Sequence, residues 1–261
     1  MKAKRSRRLF FRHLPAILLL SAAWEIGVRV SGVSPLLLPP LSIVLSALAE
    51  GIISGELTDR VLFSLLIIAE GLGIGFFVSL LLAGAARVNQ RLSDFVESLA
   101  ALFHPLPGIA VLPLVILWSG TGTLAVVLII VHSVLWPLTT NLSAGFTSVP
   151  AHLSDVARNY RLSPGQLLFH LYLPAALPFL IAGIRIAWAR AWRALIAAEM
   201  VFGAVGARGG LGWFIFQRRV FMDTTGLFAG IITVMLIGIL VEELVFERLE
   251  RLTIRRWGLS R

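Results

Sequence analysis

The chain contains no cysteine. That excludes disulfides, thiolate metal sites and cysteine nucleophiles. Lysine is almost as scarce: Lys2 and Lys4 are the only two. A phosphate loop of the G-x-x-x-x-G-K-[ST] type needs a lysine after its second glycine, and neither position supplies it. The stretch "GAVGARGGLG", Gly203–Gly212, lacks that lysine and follows no strand; it reads as an external re-entrant turn. Charge is sparse as well. Charged residues make up 14% of the 261, where a soluble domain carries about a quarter. No two histidines have the spacing of a metal pair, so no metal site is expected. His104 and His132 read as isolated, hydrogen-bonded structural residues. No nucleophile–base constellation is visible, and no catalytic residue is expected.

What the chain does have is apolar sequence. Hydrophobic residues are 57% of it and the mean hydropathy is +0.89, which indicates an all-α polytopic membrane protein. The net charge of +9 sits mostly at the two ends, with no basic module interleaved with aromatics, so it reads as topology-setting charge and not as a nucleic-acid surface. Six stretches are long enough to cross a bilayer: about Leu14–Ser31, Val61–Ala86, Leu99–Trp118, Leu124–Ala144, Ala175–Phe202 and Leu227–Phe246. Fifteen of the 23 basic residues fall on one side of these spans, in the N-terminus, the second and fourth connections and the C-terminus. Five fall on the other: Arg29, Arg60, Arg208, Arg218 and Arg219. The positive-inside rule then puts both termini in the cytoplasm. The start "MKAKRSRRLFFRHLPAILLLSAA" has features of a cleavable signal. Apolar character continues past it through Trp24, Ile26 and Val28, which favours an uncleaved first helix. The expected organisation is a basic cytoplasmic N-terminus (1–13), a transmembrane domain (14–248) with a cytoplasmic helical segment at 150–173, and a basic cytoplasmic C-terminus (249–261).

The spans are interrupted and carry charge. The third reads "HPLPGIAVLP", and Pro105, Pro107 and Pro113 each remove a backbone donor and bend or break the helix. Such breaks survive at membrane depth only against protein or a water-filled cavity. Gly71, Gly73 and Gly75 in the second span permit close helix approach. Ionisable groups inside spans are functional suspects by default. They are Glu70 in the second span and Arg185, Arg190, Arg193 and Glu199 in the fifth, with Trp188 and Trp192 flanking the last two arginines. Arginine suits carboxylate, sulfonate or phosphate-like groups through bidentate bonds, so an anionic solute passing this face is one reading. An internal ion pair between Glu70 and Arg190 or Arg193 is the other. Arg185 reads equally as snorkelling to an interface, and Glu199 as bracing the external loop.

The segment after Pro150 turns polar amid apolar sequence. Leu153, Val156, Ala157 and Tyr160 follow the i, i+3, i+4, i+7 spacing of one helix stripe, while His152, Asp155, Arg158 and Asn159 take the other face. Ser163, Pro164 and Gln166 form the signature of a capped second helix. A helix of about ten residues is marginal alone in water, so the stripe must bury against something. That is the membrane surface, the chain's own bundle, or the groove of a cytoplasmic partner.

This segment resembles the cytoplasmic signature of ATP-binding-cassette importer permeases: Glu-Ala-Ala, three residues, Gly, nine residues, Ile, one residue, Leu-Pro. Asp155-Val156-Ala157, Leu171 and Leu173-Pro174 stand in register with it. "LFHPLPGIAVLPLVILWSGTG", "LPAALPFLIAGIRIAWARAWRALIAAEM" and "GGLGWFI" resemble the nitrate/sulfonate/taurine-type permeases. The resemblance covers about Leu36 to the C-terminus. One departure is visible: the signature's glycine falls on Arg161; a glycine suits a left-handed turn there, an arginine pays about 1 kcal/mol or more for it, and a differently shaped turn is the alternative. The resemblance implies the six-helix fold of type I importers in a bacterial inner membrane and a homodimer surrounded by lipid. It also implies two ATPase subunits that bring the ATP and Mg this chain has no means to use, and a periplasmic or lipid-anchored solute-binding protein. Leu153, Asp155, Val156, Ala157, Tyr160 and Arg161 then belong to a coupling helix that docks on the ATPase. A small organic anion, sulfonate-, nitrate- or carboxylate-like, is the expected cargo. The rival reading is an ion-coupled secondary transporter, which would require a repeat-related pair of broken helices with midplane carboxylates.

Overall fold

A computed structural model describes residues 3–203 and 209–253, with side chains from residue 15 onward except at 158, 202, 251 and 252. Among the described residues there is helix and connection but no strand. The chain begins with α1 (Ala3–Ser31), then α2 (Leu41–Ile53) and α3 (Glu56–Ala86). Next come α4 (Gln90–Phe103), a 3-10 turn at Gly108–Val111 with α5 (Leu112–Ser119), and α6 (Thr123–Thr147). The polar segment forms α7 (Ala151–Asn159) and α8 (Pro164–Leu167), then a π-helical turn at Leu168–Tyr172 and α9 (Leu173–Ala175). After them run α10 (Leu177–Phe202), α11 (Leu211–Val220), and α12 (Thr224–Val241), which continues through a second π-helical turn at Glu242–Phe246 into α13 (Glu247–Leu252).

Three helices are long and apolar enough to cross a membrane unbroken: Glu56–Ala86, Thr123–Thr147 and Thr224–Glu250. Two more crossings are bent pairs. Gln90–Phe103 meets Gly108–Ser119 at 87°, and Pro164–Ala175 meets Leu177–Val201 at 75°. The described spans therefore number three, or five when each bent pair counts once. The expected count of six also needs α1, whose side chains before residue 15 lie outside the described residues. The third expected span is corrected in shape, whereas the fifth, expected at Ala175–Phe202, forms the continuous α10 with the 75° bend at its start. Leu99–Trp118 is not one rod, because Pro105 and Pro107 offer no N–H at the end of α4 and Pro113 starts a new helix in the first turn of α5. Pro178 starts α10 in the same way, just after the bend.

The core lies around α6. Ala125, Val126, Ile129, Ile130, Val134, Leu138, Leu142 and Phe146 are all completely or almost completely buried between α3 and α10. Helix α3 approaches α6 through two glycines: a Cβ at Gly71 would run into Ile130, and one at Gly75 into Val134. Gly73 faces open space, so only two of the three glycines serve that contact. Two elements were not anticipated. Helix α2 is a 13-residue apolar helix packed on α12, and α11 is a 10-residue helix packed between α10 and α12.

Candidate functional site

The break between α4 and α5 is held from two sides. With two prolines nearby, the carbonyl of His104 lacks a continuing helix to bond to. Arg190 on α10 satisfies it, donating Nη1–H to His104 O at 3.3 Å and Nη2–H to His104 Nε2 at 3.0 Å. A guanidinium only donates, so this contact requires His104 to be neutral with its proton on Nδ1. From α6, His132 Nε2 lies 3.4 Å from Leu106 O. Gly108 packs directly on α6, where an added Cβ would meet Ile129 O at 3.4 Å and press on Ser133 Oγ.

Beside this turn lies a cavity of about 480 Å³. Its walls are the turn itself, residues 103–109, then His132, Ser133 and Trp136 of α6, and Arg190, Arg193, Ala194 and Ala197 of α10. Phe103 and Trp136 form one aromatic wall, stacked at 5.3 Å between centroids and 13° between planes. Arg193 is exposed; its Nε–H donates to its own helix at Ala189 O (2.9 Å), and its terminal nitrogens have no partner among the described residues. No carboxylate lines the cavity. Two guanidinium groups without a counter-ion give it a positive potential suited to an anion.

The predicted site residues divide accordingly. Arg190 and Arg193 reach the cavity, one as a strut and one with a free edge. Glu70 does not. Ile67, Ile68 and Gly71 face α6, whereas Glu70 shares the exposed face of α3 with Leu66, Ile74 and Phe77. The anticipated pairing of Glu70 with Arg190 or Arg193 is therefore not made within the described residues. Arg185 is exposed and pairs with Glu242 in the second π-helical turn. Trp188 and Trp192 stack on each other at 5.7 Å and 18°; Trp192 is buried in the main core with Trp188 packed against it, so they do not line the cavity. The cavity's aromatic wall comes from Phe103 and Trp136 instead. His104 and His132 are hydrogen-bonded, as expected, but they are not isolated: both border the same cavity. The signal that marks this wall is the face of α6 carrying His132, Ser133 and Trp136 at i, i+1, i+4.

Glu199 is fully buried and does not touch the cavity. Its two oxygens accept from Gly210 N and Gly212 N, each at 2.8 Å, at the start of α11. Ser64 Oγ accepts from Leu211 N at 3.0 Å, and Arg60 Nη1–H donates to Gly209 O at 3.0 Å. The carboxylate braces the loop by occupying a helix N-terminus, where unpaired N–H groups and the dipole favour negative charge. Glycine is required there: a Cβ at Gly212 would lie 2.6 Å from Ile196 O. Residues 204–208 of the expected re-entrant turn, Arg208 among them, lie outside the described residues.

At the opposite end of α3, the polar segment forms as its spacing predicts, with one adjustment. Leu153, Val156 and Tyr160 are 41%, 48% and 79% exposed, while Ala157 turns inward with Ser154. The stripe is thus not spent on the chain's own bundle. Asp155 is exposed. Arg161 adopts the left-handed conformation (φ 50°), and Leu162 N donates to Ala157 O at 3.3 Å, the six-to-one bond of a Schellman ending. The capping box is complete: Ser163 N donates to Gln166 Oε1 (2.9 Å) and Gln166 N to Ser163 Oγ (3.3 Å). Leu171 and Leu173 pack against the buried cluster that holds Phe146, Val149, Tyr172 and Ala176.

Apolar spans broken beside a cationic cavity, with an unspent apolar helix at one end, are the construction of a solute-conducting permease; an anchor needs neither. The chain belongs to the family of binding-protein-dependent transport system inner membrane components, which matches residues 71–254. It is 32% identical over 245 residues to a putative aliphatic sulfonates transport permease protein of Bacillus subtilis, covering 94% of this chain and 86% of that one. It is 28% identical over 229 residues to the taurine transport system permease protein of Escherichia coli, covering 86% and 82%. In fold it resembles a chain of the MetNI methionine ABC transporter in an inward-facing conformation, with a TM-score of 0.64, 19% identity, and coverage of 76% of this chain and 96% of that one. The protein is thus a multi-pass permease of the ATP-binding-cassette importer type.

Proposed function

We propose that this permease conducts a small organic anion along the face of α10 that carries Arg190 and Arg193. The observation that carries the reading is the cavity at the α4–α5 break, where Arg193 presents unpartnered donors and no carboxylate competes for them. Sulfonate relatives support the same charge. Two copies of the chain form the pathway, a solute-binding protein delivers the anion on the side of the Glu199-braced loop, and two ATPase subunits bind at the α7 side. The chain crosses six times with both termini cytoplasmic. It binds no cofactor; ATP and Mg reside in the partner subunits, since Lys2 and Lys4 cannot furnish a phosphate loop.

The test is uptake by the complete complex in proteoliposomes. Taurine, an alkanesulfonate, nitrate, an aromatic carboxylate and a neutral heterocycle are offered with the cognate binding protein. ATP-dependent uptake of an anion, abolished when the ATPase subunits are omitted, is expected. Uptake confined to the neutral compound, or persisting without ATP, would overturn the proposal.

A further inference from the structure

One phenol joins four elements at the α7 end of the molecule. Tyr172 closes the π-helical turn and is buried. Its ring packs on Phe146 of α6, 5.8 Å between centroids. Arg87, the residue that ends α3, donates Nη2–H to Tyr172 Oη at 3.2 Å and lies over the ring at 5.0 Å. Ser154 Oγ of α7 is 3.2 Å from the same oxygen. Among the described side chains of α7, only Ser154 and Ala157 are buried, so this bond is a principal tie between that helix and the bundle.

We propose that Tyr172 is a positioning residue for coupling, carrying displacement of α7 into α3 and α10. The inference rests on the ATPase-driven reading above. Two connections hold α7 by chain alone: the turn at Pro150 and the left-handed turn at Arg161. A helix so short, hung between two turns, would pivot under load and transmit little. The Tyr172 hydroxyl converts that pivot into a rigid joint, because it bonds α7 and α3 at once while its backbone leads through α9 and the 75° bend into α10. Single π-helical turns recur at functional sites, where one surplus residue re-aims a side chain. A hollow of about 540 Å³ bordered by Arg87, Ser148, Pro150, Asp155 and Tyr172 leaves room for the joint to move.

Tyr172→Phe keeps the ring, and with it the packing on Phe146 and the stacking under Arg87, and deletes the hydroxyl's bonds to Arg87 and Ser154. The absence of native cysteine allows spin labels at single introduced sites, His152→Cys on α7 and Ile186→Cys on α10, in the homodimer bound to its ATPase subunits. The probe is ATP with vanadate, which requires no knowledge of the solute. In the parent, the label-to-label distance between protomers shifts at both sites. In Tyr172→Phe the α7 shift persists and the α10 shift falls by half or more, with the ATPase subunits still co-purifying. Ser154→Ala, which removes one bond with little change in volume, gives the same loss in smaller degree and decides the matter if Tyr172→Phe fails to insert. Undiminished α10 shifts in both variants overturn the proposal. So does loss of the ATPase subunits from either variant, which would make the joint a fold support only. A parent that binds no ATPase and answers to no nucleotide refutes the underlying functional reading instead.

Discussion

Arg190 and Arg193 stand three positions apart on one helix face, and by spacing alone they are equivalent. Their partners separate them: Arg190 is consumed by the carbonyl and imidazole of His104, and Arg193 keeps its terminal nitrogens open. A charge-assisted bond contributes about 1.5–3 kcal/mol. Arg193→Gln is therefore expected to raise the KM for the transported anion by about ten- to a hundredfold, with the ATPase subunits still bound; uptake kinetics in proteoliposomes check it. Glu199 has a different task. Glu199→Ala strands the N–H groups of Gly210 and Gly212 in a buried loop, at about 1–3 kcal/mol each. A lowered Tm of the detergent-solubilised protein, by several degrees, is the expected outcome. The residue type and the glycine-rich context of Glu199 were legible in the sequence. Its partners were not, because a carboxylate eleven and thirteen residues from the donors it accepts from is brought to them only by the chain's reversal.

Helix α7 shows how far periodicity reaches at the scale of an element. Its extent and the capping box after it follow from local spacing and local bonding, and both are present; the left-handed turn at Arg161, which only the resemblance to the permease signature raised, is present too. Periodicity did not say which part of the apolar stripe would be spent inside; Ala157 turns inward together with Ser154, whose hydroxyl meets that of Tyr172. Since Leu153, Val156 and Tyr160 remain exposed, a carboxylate added there costs the isolated chain little. Val156→Asp and Tyr160→Asp are expected to insert normally and to lose most stimulation of the partner ATPase; retained stimulation in both would remove the docking role. The broken third span was visible as prolines, but its 87° angle was not. A proline states that a helix cannot continue, and the packing of the next segment on α6 decides where the chain goes. Helix α2 leaves no comparable mark in the sequence: at 13 residues it is too short for a crossing, and its place is set by α12.

For the whole molecule, α6 is the buried axis, while α3 and α12 each carry an exposed apolar face, Leu62, Leu66, Ile74, Phe77 and Leu81 on one and Ile231, Met235, Leu236, Ile239 and Leu240 on the other. Lipid or protein must cover such a surface. The orientation derived from the arginine tally predicts opposite exposure for the two ends of the bundle. With no native cysteine as background, Ser54→Cys at the start of α3 should react with a membrane-impermeant maleimide on intact cells, and Ser163→Cys only after permeabilisation. The reverse pattern would invert the assembly of partners. Composition and spacing determined by themselves that the chain is helical and membrane-embedded, that prolines interrupt its third span, and that a short striped helix with a capped successor follows Pro150, because hydropathy, proline geometry and capping act within a few residues. Only the tertiary structure decided that Glu70 turns away, that Trp188 and Trp192 belong to the core, and that Arg193 rather than Arg190 keeps a free edge. Those outcomes depend on which helix faces another across the bundle, and a long-range packing choice is not encoded in the spacing along any one of them.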